Sequence, residues 1–112
     1  MPMKWRWTLL FDSEKELKEL MQGKISHVHR TMFGEVLLVR NNDEILAFEN
    51  KCPHQNKSLE GCWLEDEQIV CPYHQYHFNL SDGRGQGMYV DKYQLKFEDG
   101  KVFLGKEKWS LF

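Results

Sequence analysis

The sequence predicts an antiparallel all-β protein, a sandwich or barrel, with one short helix and one long insertion. Short β-branched and aliphatic segments recur along the chain and are bounded by turn residues, which is typical of this class. The pair Asp99-Gly100 separates two such segments, and Asp-Gly is the strongest short-range signal for a hairpin. The segment 50–87 interrupts the pattern, because it holds all 3 cysteines and 2 of the 3 prolines. We therefore expect an insertion between two hairpins.

The first part of the chain predicts one strand and the only helix that the sequence indicates. Residues 5–9 alternate between apolar and polar side chains, and a period of two is typical of a strand. Ser13 followed by Glu16 has the capping-box pattern that begins a helix. Apolar residues then recur at helical spacing, and Gly23 can end the helix in a left-handed conformation.

The remaining predicted elements are all strands. The polar cluster 41–44 and the acidic cluster 65–67 are typical of turns between paired strands. The predicted strands cover residues 25–31, 35–40, 45–49, 68–71, 93–98 and 101–104.

Length and charge exclude several classes of function. The 112 residues correspond to one domain, 1–112, and the formal net charge of −2 predicts no general attraction to nucleic acid or to a membrane. The apolar runs are too short to span a bilayer, and the amino terminus lacks the apolar core of a signal peptide. An odd, small number of cysteines without an export signal favours metal ligands or buried thiols over disulfides. We therefore expect a cytoplasmic protein.

The insertion contains two short loops that each offer one thiolate and one imidazole. The first loop is Cys52-Pro53-His54, then come 16 residues, and the second is Cys71-Pro72-Tyr73-His74. Zinc fingers usually pair like ligands, with two or more residues between them. Here cysteine is paired with histidine twice, and a single residue separates the first pair. This arrangement suits two metal ions, with each loop giving one ligand to each ion.

The spacing C-x-H, 16 residues, C-x-x-H resembles the Rieske iron–sulfur signature. The resemblance extends over essentially the whole chain. It implies one [2Fe–2S] cluster per chain, held by a cluster-binding subdomain at about 50–87. Cys52 and Cys71 would bind one iron, and His54 and His74 the other. The flanking residues that agree with the family are Leu59, Gly61, Phe78, Ser81, Asp82 and Gly83.

Four positions indicate the type of Rieske protein. Respiratory-complex members join the two loops by a disulfide, but the corresponding residues here are Lys57 and Tyr73. Tyr76 and Phe78 resemble the aromatic pair of dioxygenase-associated ferredoxins. The resemblance therefore implies a carrier, not itself an enzyme, that passes single electrons from a flavin-dependent reductase to a terminal oxygenase or another redox protein. With no hydroxyl on Phe78 to bond a cluster sulfur, we expect a reduction potential near the low end of the Rieske range.

Two alternatives remain open from the sequence. One is a small Rieske-like subunit of a reductase such as nitrite reductase, although many such subunits have lost the ligands that are intact here. The other is a structural zinc-binding interaction module. The chain also departs from the ferredoxins at Asn56 and Gln75, where they usually have glycine, and it lacks their proline-bearing cover loop, for which residues 83–87 are the candidate replacement.

Other chemically suggestive residues have simpler interpretations. Cys62 is interpreted as a packed thiol rather than a fifth ligand. His27 and His29 share one face of a strand and are interpreted as a polar face. His77 is interpreted as an exposed neighbour of the second loop. The glycine-rich segment 83–87 is interpreted as a loop, because no helix follows it to form a phosphate site.

Overall fold

The computed structural model describes residues 3–31, 34–53, 57–73 and 75–109, and the side chains of residues 6–31, 34–53, 57–73 and 75–106. Strands dominate the described chain, and the predicted antiparallel all-β class with one short helix is confirmed. In chain order the elements are β1 (Met3–Phe11), α1 (Glu14–Met21), β2 (Ser26–Thr31), β3 (Gly34–Asn41), β4 (Glu44–Glu49), β5 (Trp63–Glu65), β6 (Gln68–Val70), β7 (His77–Asn79), β8 (Arg84–Gly85), β9 (Met88–Tyr89), β10 (Lys92–Glu98) and β11 (Lys101–Trp109).

The strands form one large sheet and two small ones. The large sheet has 6 strands in the order β1-β11-β10-β4-β3-β2, and every pair in it is antiparallel. A sheet of 3 strands, β5-β6-β7, and the ribbon β8-β9 follow β4 in the chain and precede β10. The predicted insertion thus forms its own small sheets between the strands of the large one.

Strand β3 is buried on both faces of the large sheet. Val36 and Leu38 belong to one core cluster, together with residues of α1. Leu37 and Val39 point to the opposite face and belong to a second cluster, together with the cysteines. This division follows from the period of two in a strand, which sends successive side chains to opposite sides. The sheet therefore separates a helix-covered core from a cysteine-containing core.

Helix α1 begins and ends close to the positions that the sequence predicts. The Lys15 N–H donates to the Ser13 hydroxyl at 3.1 Å, so Ser13 is the N-cap. The Glu14 N–H donates to the Gly100 carbonyl at 2.6 Å, which ties the helix to the turn between β10 and β11. After the last helical residue, Gly23 has a φ of +74°. In the described part of the chain, no helix has the length and apolar character needed to cross a membrane.

Two-residue turns with positive φ connect three pairs of strands. The predicted hairpin at Asp99-Gly100 is confirmed, since both residues have positive φ and Glu98 pairs with Lys101. The same geometry at residues 86–87 pairs β8 with β9. The interpretation of residues 83–87 as a loop is therefore wrong in part, because Arg84 and Gly85 form a strand. Residues 66–67 make the third such turn, between β5 and β6.

The ribbon β8-β9 lies directly against the backbone of β7. A Cβ atom added to Gly85 would overlap the carbonyl oxygen of His77. One added to Gly83 would overlap the carbonyl oxygen of Val90. The Gln86 side-chain oxygen accepts a hydrogen bond from the His77 N–H at 3.2 Å. Gly83 and Gly85 thus permit close backbone approaches, whereas Gly87 supplies a positive φ in the turn between β8 and β9.

We expect Gly85→Ala to destabilise the fold by about 1–3 kcal/mol, because backbone atoms of β7 would have to move away from the new methyl group. Gly105→Ala is the matched control. There the added Cβ would lie 2.5 Å from the outer ring atoms of the Trp7 indole, a side chain that is 40% exposed and can shift without moving the backbone. Urea unfolding should give a clearly larger loss of free energy for Gly85→Ala. Equal losses for the two variants would contradict the close packing described.

Candidate metal centre

The first cysteine loop begins three residues after β4 ends at Glu49. The Cys52 N–H donates to the Lys57 carbonyl at 2.7 Å, and the two residues form an isolated antiparallel bridge. Cys52 is only 2% exposed. The loop is therefore closed by a backbone bond at its base, and its cysteine lies at that base rather than at its tip.

The second cysteine loop is built in the same way. The Cys71 N–H donates to the Tyr76 carbonyl at 2.9 Å, five residues ahead as in the first loop, and Cys71 is 1% exposed. The Gln75 N–H donates to the Cys71 carbonyl at 3.0 Å, and Gln75 has a φ of +55°. This left-handed conformation costs a residue with a Cβ about 1–2 kcal/mol. It gives a physical reason for the glycine usual at this position in the ferredoxins that the sequence resembles.

Both loop cysteines lie in one buried cluster. Phe78, from β7, is also fully buried there. The half-buried side chain of Tyr76 packs against this cluster. None of the chain's 3 cysteines, all within the described residues, forms a disulfide. Two soft sulfur donors lie on separate loops in one apolar environment. They supply two of the four protein ligands that an iron–sulfur cluster takes. The members of the cluster are Leu37, Val39, Phe48, Cys52, Leu59, Cys62, Ile69, Cys71, Phe78, Leu80 and Val90.

The two predicted histidine ligands, His54 and His74, lie outside the described residues. Within the described ranges, no group of three or more His, Cys, Asp or Glu side chains is arranged to hold a metal ion. The structure therefore brings the two cysteines of the predicted set into one cluster. The assignment of the imidazoles rests on the sequence.

Asn50 is a site residue that the sequence analysis missed. It is 8% exposed and is the one buried polar residue in the described part of the chain. Its amide nitrogen donates to the Glu35 carboxylate at 3.1 Å and to the Ser58 hydroxyl at 2.8 Å. Its oxygen accepts from the Leu59 N–H at 2.7 Å. Asn50 thus fastens the chain before the first loop to the chain after it, and both to β3.

A carboxyl pair lies beside the first loop. Burial, a hydrogen bond to Asp91 and the charge of Asp91 together raise the pKa of Glu49. Burial raises the pKa of Tyr93 to about 12, and the two carboxylates add to that increase. Glu49 therefore holds a proton more readily than an isolated glutamate.

Cys62 is a packed thiol, as predicted. It is 4% exposed, and its carbonyl accepts from the Ser26 hydroxyl at 3.2 Å. Burial raises the pKa of the Cys62 thiol to about 11, and the nearby Cys71 adds to the increase. Its burial disfavours the charged thiolate, which is typical of an inert packed thiol.

The other histidines differ in part from their interpretation. His27 and His29 lie on one face of β2 as predicted, with ring centres 6.5 Å apart. The His29 ring also packs 4.7 Å from that of Phe11, so this face is not purely polar. Burial, followed by the charge of Lys24, lowers the pKa of His27. The prediction that His77 is exposed is wrong, since it is half-buried in β7.

Comparison with known proteins identifies one family and several relatives. The Rieske [2Fe-2S] domain family matches residues 9–95. The ferredoxin component of the alkene monooxygenase system of Xanthobacter autotrophicus is 36% identical over 77 residues, which are 65% of this chain and 63% of that protein. Apoptosis-inducing factor 3 of Homo sapiens is 33% identical over 99 residues, which are 85% of this chain and 16% of that protein. The chain thus spans less than two thirds of either relative.

Solved structures share the fold. A structure described as a complex of reduced oxygenase and oxidized ferredoxin in carbazole 1,9a-dioxygenase matches with a TM-score of 0.71 and 20% identity. The match covers 93% of this chain and 97% of that one. At this identity the likeness establishes the architecture of the chain.

We expect Asn50→Ala to destabilise the protein by about 1–3 kcal/mol, because it leaves the buried Leu59 N–H without its acceptor. Asn79→Ala is the matched control, since Asn79 is half-buried and its side-chain oxygen accepts only from Gln68 in the hydrogen bonds described. Urea unfolding should give a smaller loss for the control. Asn50→Asp should recover stability as the pH falls, because its carboxylate would face that of Glu35 until one is protonated. An Asn50→Ala variant no less stable than Asn79→Ala would contradict this role.

Proposed function

The chain belongs to the Rieske [2Fe–2S] domain family, and from that premise we propose that it is an electron carrier of the ferredoxin type. The observation that carries the proposal is the matched construction of the two cysteine loops. Each cysteine is buried at the base of its loop, and each N–H donates to the carbonyl five residues ahead. Such pairing gives a fixed platform with two thiolates on the protein side of a metal centre.

We propose that Cys52 and Cys71 bind one iron and that His54 and His74 bind the other. The cluster-binding subdomain is then about 50–87 within a single domain, 1–112. The burial of both thiols suits iron ligation, because apolar neighbours would exclude water from the bonds between iron and sulfur. When bound, the cluster takes up and releases one electron at a time. Family membership favours this centre over the alternative of a structural zinc module.

We propose a flavin-dependent reductase as the electron donor and a terminal oxygenase as the acceptor. The 36%-identical relative is a ferredoxin component of a monooxygenase system, which supports transfer of electrons rather than conversion of a substrate by this domain. A structural neighbour is a ferredoxin bound to an oxygenase, which supports the class of acceptor. Three cysteines without a disulfide suit the reducing cytoplasm, which we propose as the location.

Replacement of either ligand cysteine should abolish cluster assembly. We expect purified Cys52→Ser and Cys71→Ser to lack stoichiometric iron and sulfide, because a hydroxyl is a poor replacement for a soft thiolate. His54→Ala and His74→Ala should have nearly the same effect. Cys62→Ser is the matched control: the same substitution in the same buried cluster should leave the visible spectrum unchanged. Full iron and sulfide in any ligand variant, or loss of the cluster from the control, would overturn the ligand set.

The reduction potential should lie near the low end of the Rieske range of about −150 to +300 mV. Hydroxyl groups that bond cluster sulfurs raise the potential by stabilising the reduced state. Phe78 has no hydroxyl and is surrounded by apolar side chains. The double variant Tyr76→Ser, Phe78→Tyr should therefore raise the potential, by about 60–130 mV for one charge-assisted hydrogen bond.

Phe78→Leu is the control for this measurement, because it alters the packing without adding a donor. Voltammetry should give a potential close to that of the wild type for this control. A wild-type potential near the top of the range would contradict the ferredoxin type, even with the cluster present.

A further inference from the structure

A cation–π contact joins the rims of the two cysteine loops. The Lys57 ammonium lies 4.6 Å from the centre of the Tyr73 ring. A ring face attracts a cation within about 6 Å. Both side chains are exposed, and Tyr73 keeps 52% of its surface accessible. The contact therefore lies at the surface, whereas the loop cysteines lie in the core.

Each partner is held to its own loop by the backbone. The Lys57 carbonyl accepts from the Cys52 N–H, so Lys57 ends the first loop. Tyr73 lies inside the turn that is closed by the Gln75 N–H on the Cys71 carbonyl at 3.0 Å. Because the backbone of each partner moves with its loop, the side-chain contact restrains the separation of the two loops while it is formed.

We propose that Lys57 and Tyr73 form a clamp that holds the two ligand loops together at the exposed rim of the metal centre. This inference rests on the proposed function, since it takes the loops to carry the ligands. The buried cluster fixes the bases of the loops, and the clamp fixes their exposed sides. Lys57 and Tyr73 are thus positioning residues. The Lys57 ammonium also adds positive charge at the rim, which favours the reduced centre because that state carries one more negative charge.

A double-mutant cycle on the purified protein with its cluster tests the clamp. The readout is the first-order rate at which visible absorbance is lost in the presence of an excess iron chelator. We expect Lys57→Gln and Tyr73→Leu each to accelerate cluster loss about two- to fivefold, the factor that corresponds to an exposed cation–π contact. The double variant should be no faster than the faster single variant, because both changes remove the same contact.

Two conservative variants and one control distinguish the clamp from a general effect on the fold. Lys57→Arg and Tyr73→Phe keep a cation over a ring and should lose the cluster at the wild-type rate. Lys51→Gln removes an exposed positive charge next to Cys52 without touching the ring, and it should also leave the rate unchanged. The potential should fall in Lys57→Gln and remain at the wild-type value in Tyr73→Leu, which loses the contact but keeps the charge, a difference that a purely structural role would not produce.

The outcomes separate this inference from the proposed function. A wild-type protein without iron and sulfide would overturn both. A wild-type protein with its cluster, together with single variants that lose it at the wild-type rate, would overturn the clamp alone. Rates that multiply in the double variant would also overturn it, since the two residues would then act independently.

Discussion

The packing of two cysteine side chains into one buried cluster is the constraint on which the rest of the site depends. Cys52 follows a strand of the large sheet and Cys71 follows a strand of the small one, so the cluster is where the two sheets meet. Strand β3 supplies Leu37 and Val39 to this cluster and uses its alternate residues for the helix-covered core on the other face. The two loops are consequently rooted in a buried core cluster.

A different kind of interaction restrains the loops at each depth, from the core to the surface. At the base, the apolar cluster and the backbone bonds of the two cysteines set the position of the sulfur atoms. At the flank, Asn50 joins the first loop to β3 through three hydrogen bonds. At the rim, Lys57 contacts Tyr73 across the two loops. These two residues correspond to the positions that respiratory-complex Rieske proteins join by a disulfide. A noncovalent contact at the rim leaves the loops less firmly joined there than a disulfide would.

Local signals in the sequence were sufficient for the class of fold and for half of the site. The Asp99-Gly100 turn and the Ser13 cap depend on residues adjacent in the chain, so their patterns are readable without a structure. Strands β5, β7, β8 and β9 have two or three residues each, too few for a period of two to be recognised. Asn50 and the Lys57–Tyr73 contact depend on partners distant in the chain, and no sequence pattern indicates them. The spacing of cysteines and histidines carried the ligand prediction because two nearby loops that each combine cysteine, proline and histidine are rare by chance.

The central claim is that this chain holds one [2Fe–2S] cluster with two thiolates on one iron and two imidazoles on the other. Mössbauer spectroscopy of isotopically enriched, oxidised protein tests it most directly, because the technique distinguishes iron bound by sulfur alone from iron bound by sulfide and nitrogen. We expect two distinct ferric sites in equal amount, consistent with the mixed ligation of Rieske centres. A single ferric site with all-sulfur ligation, or purified protein that contains zinc in place of iron, would contradict it.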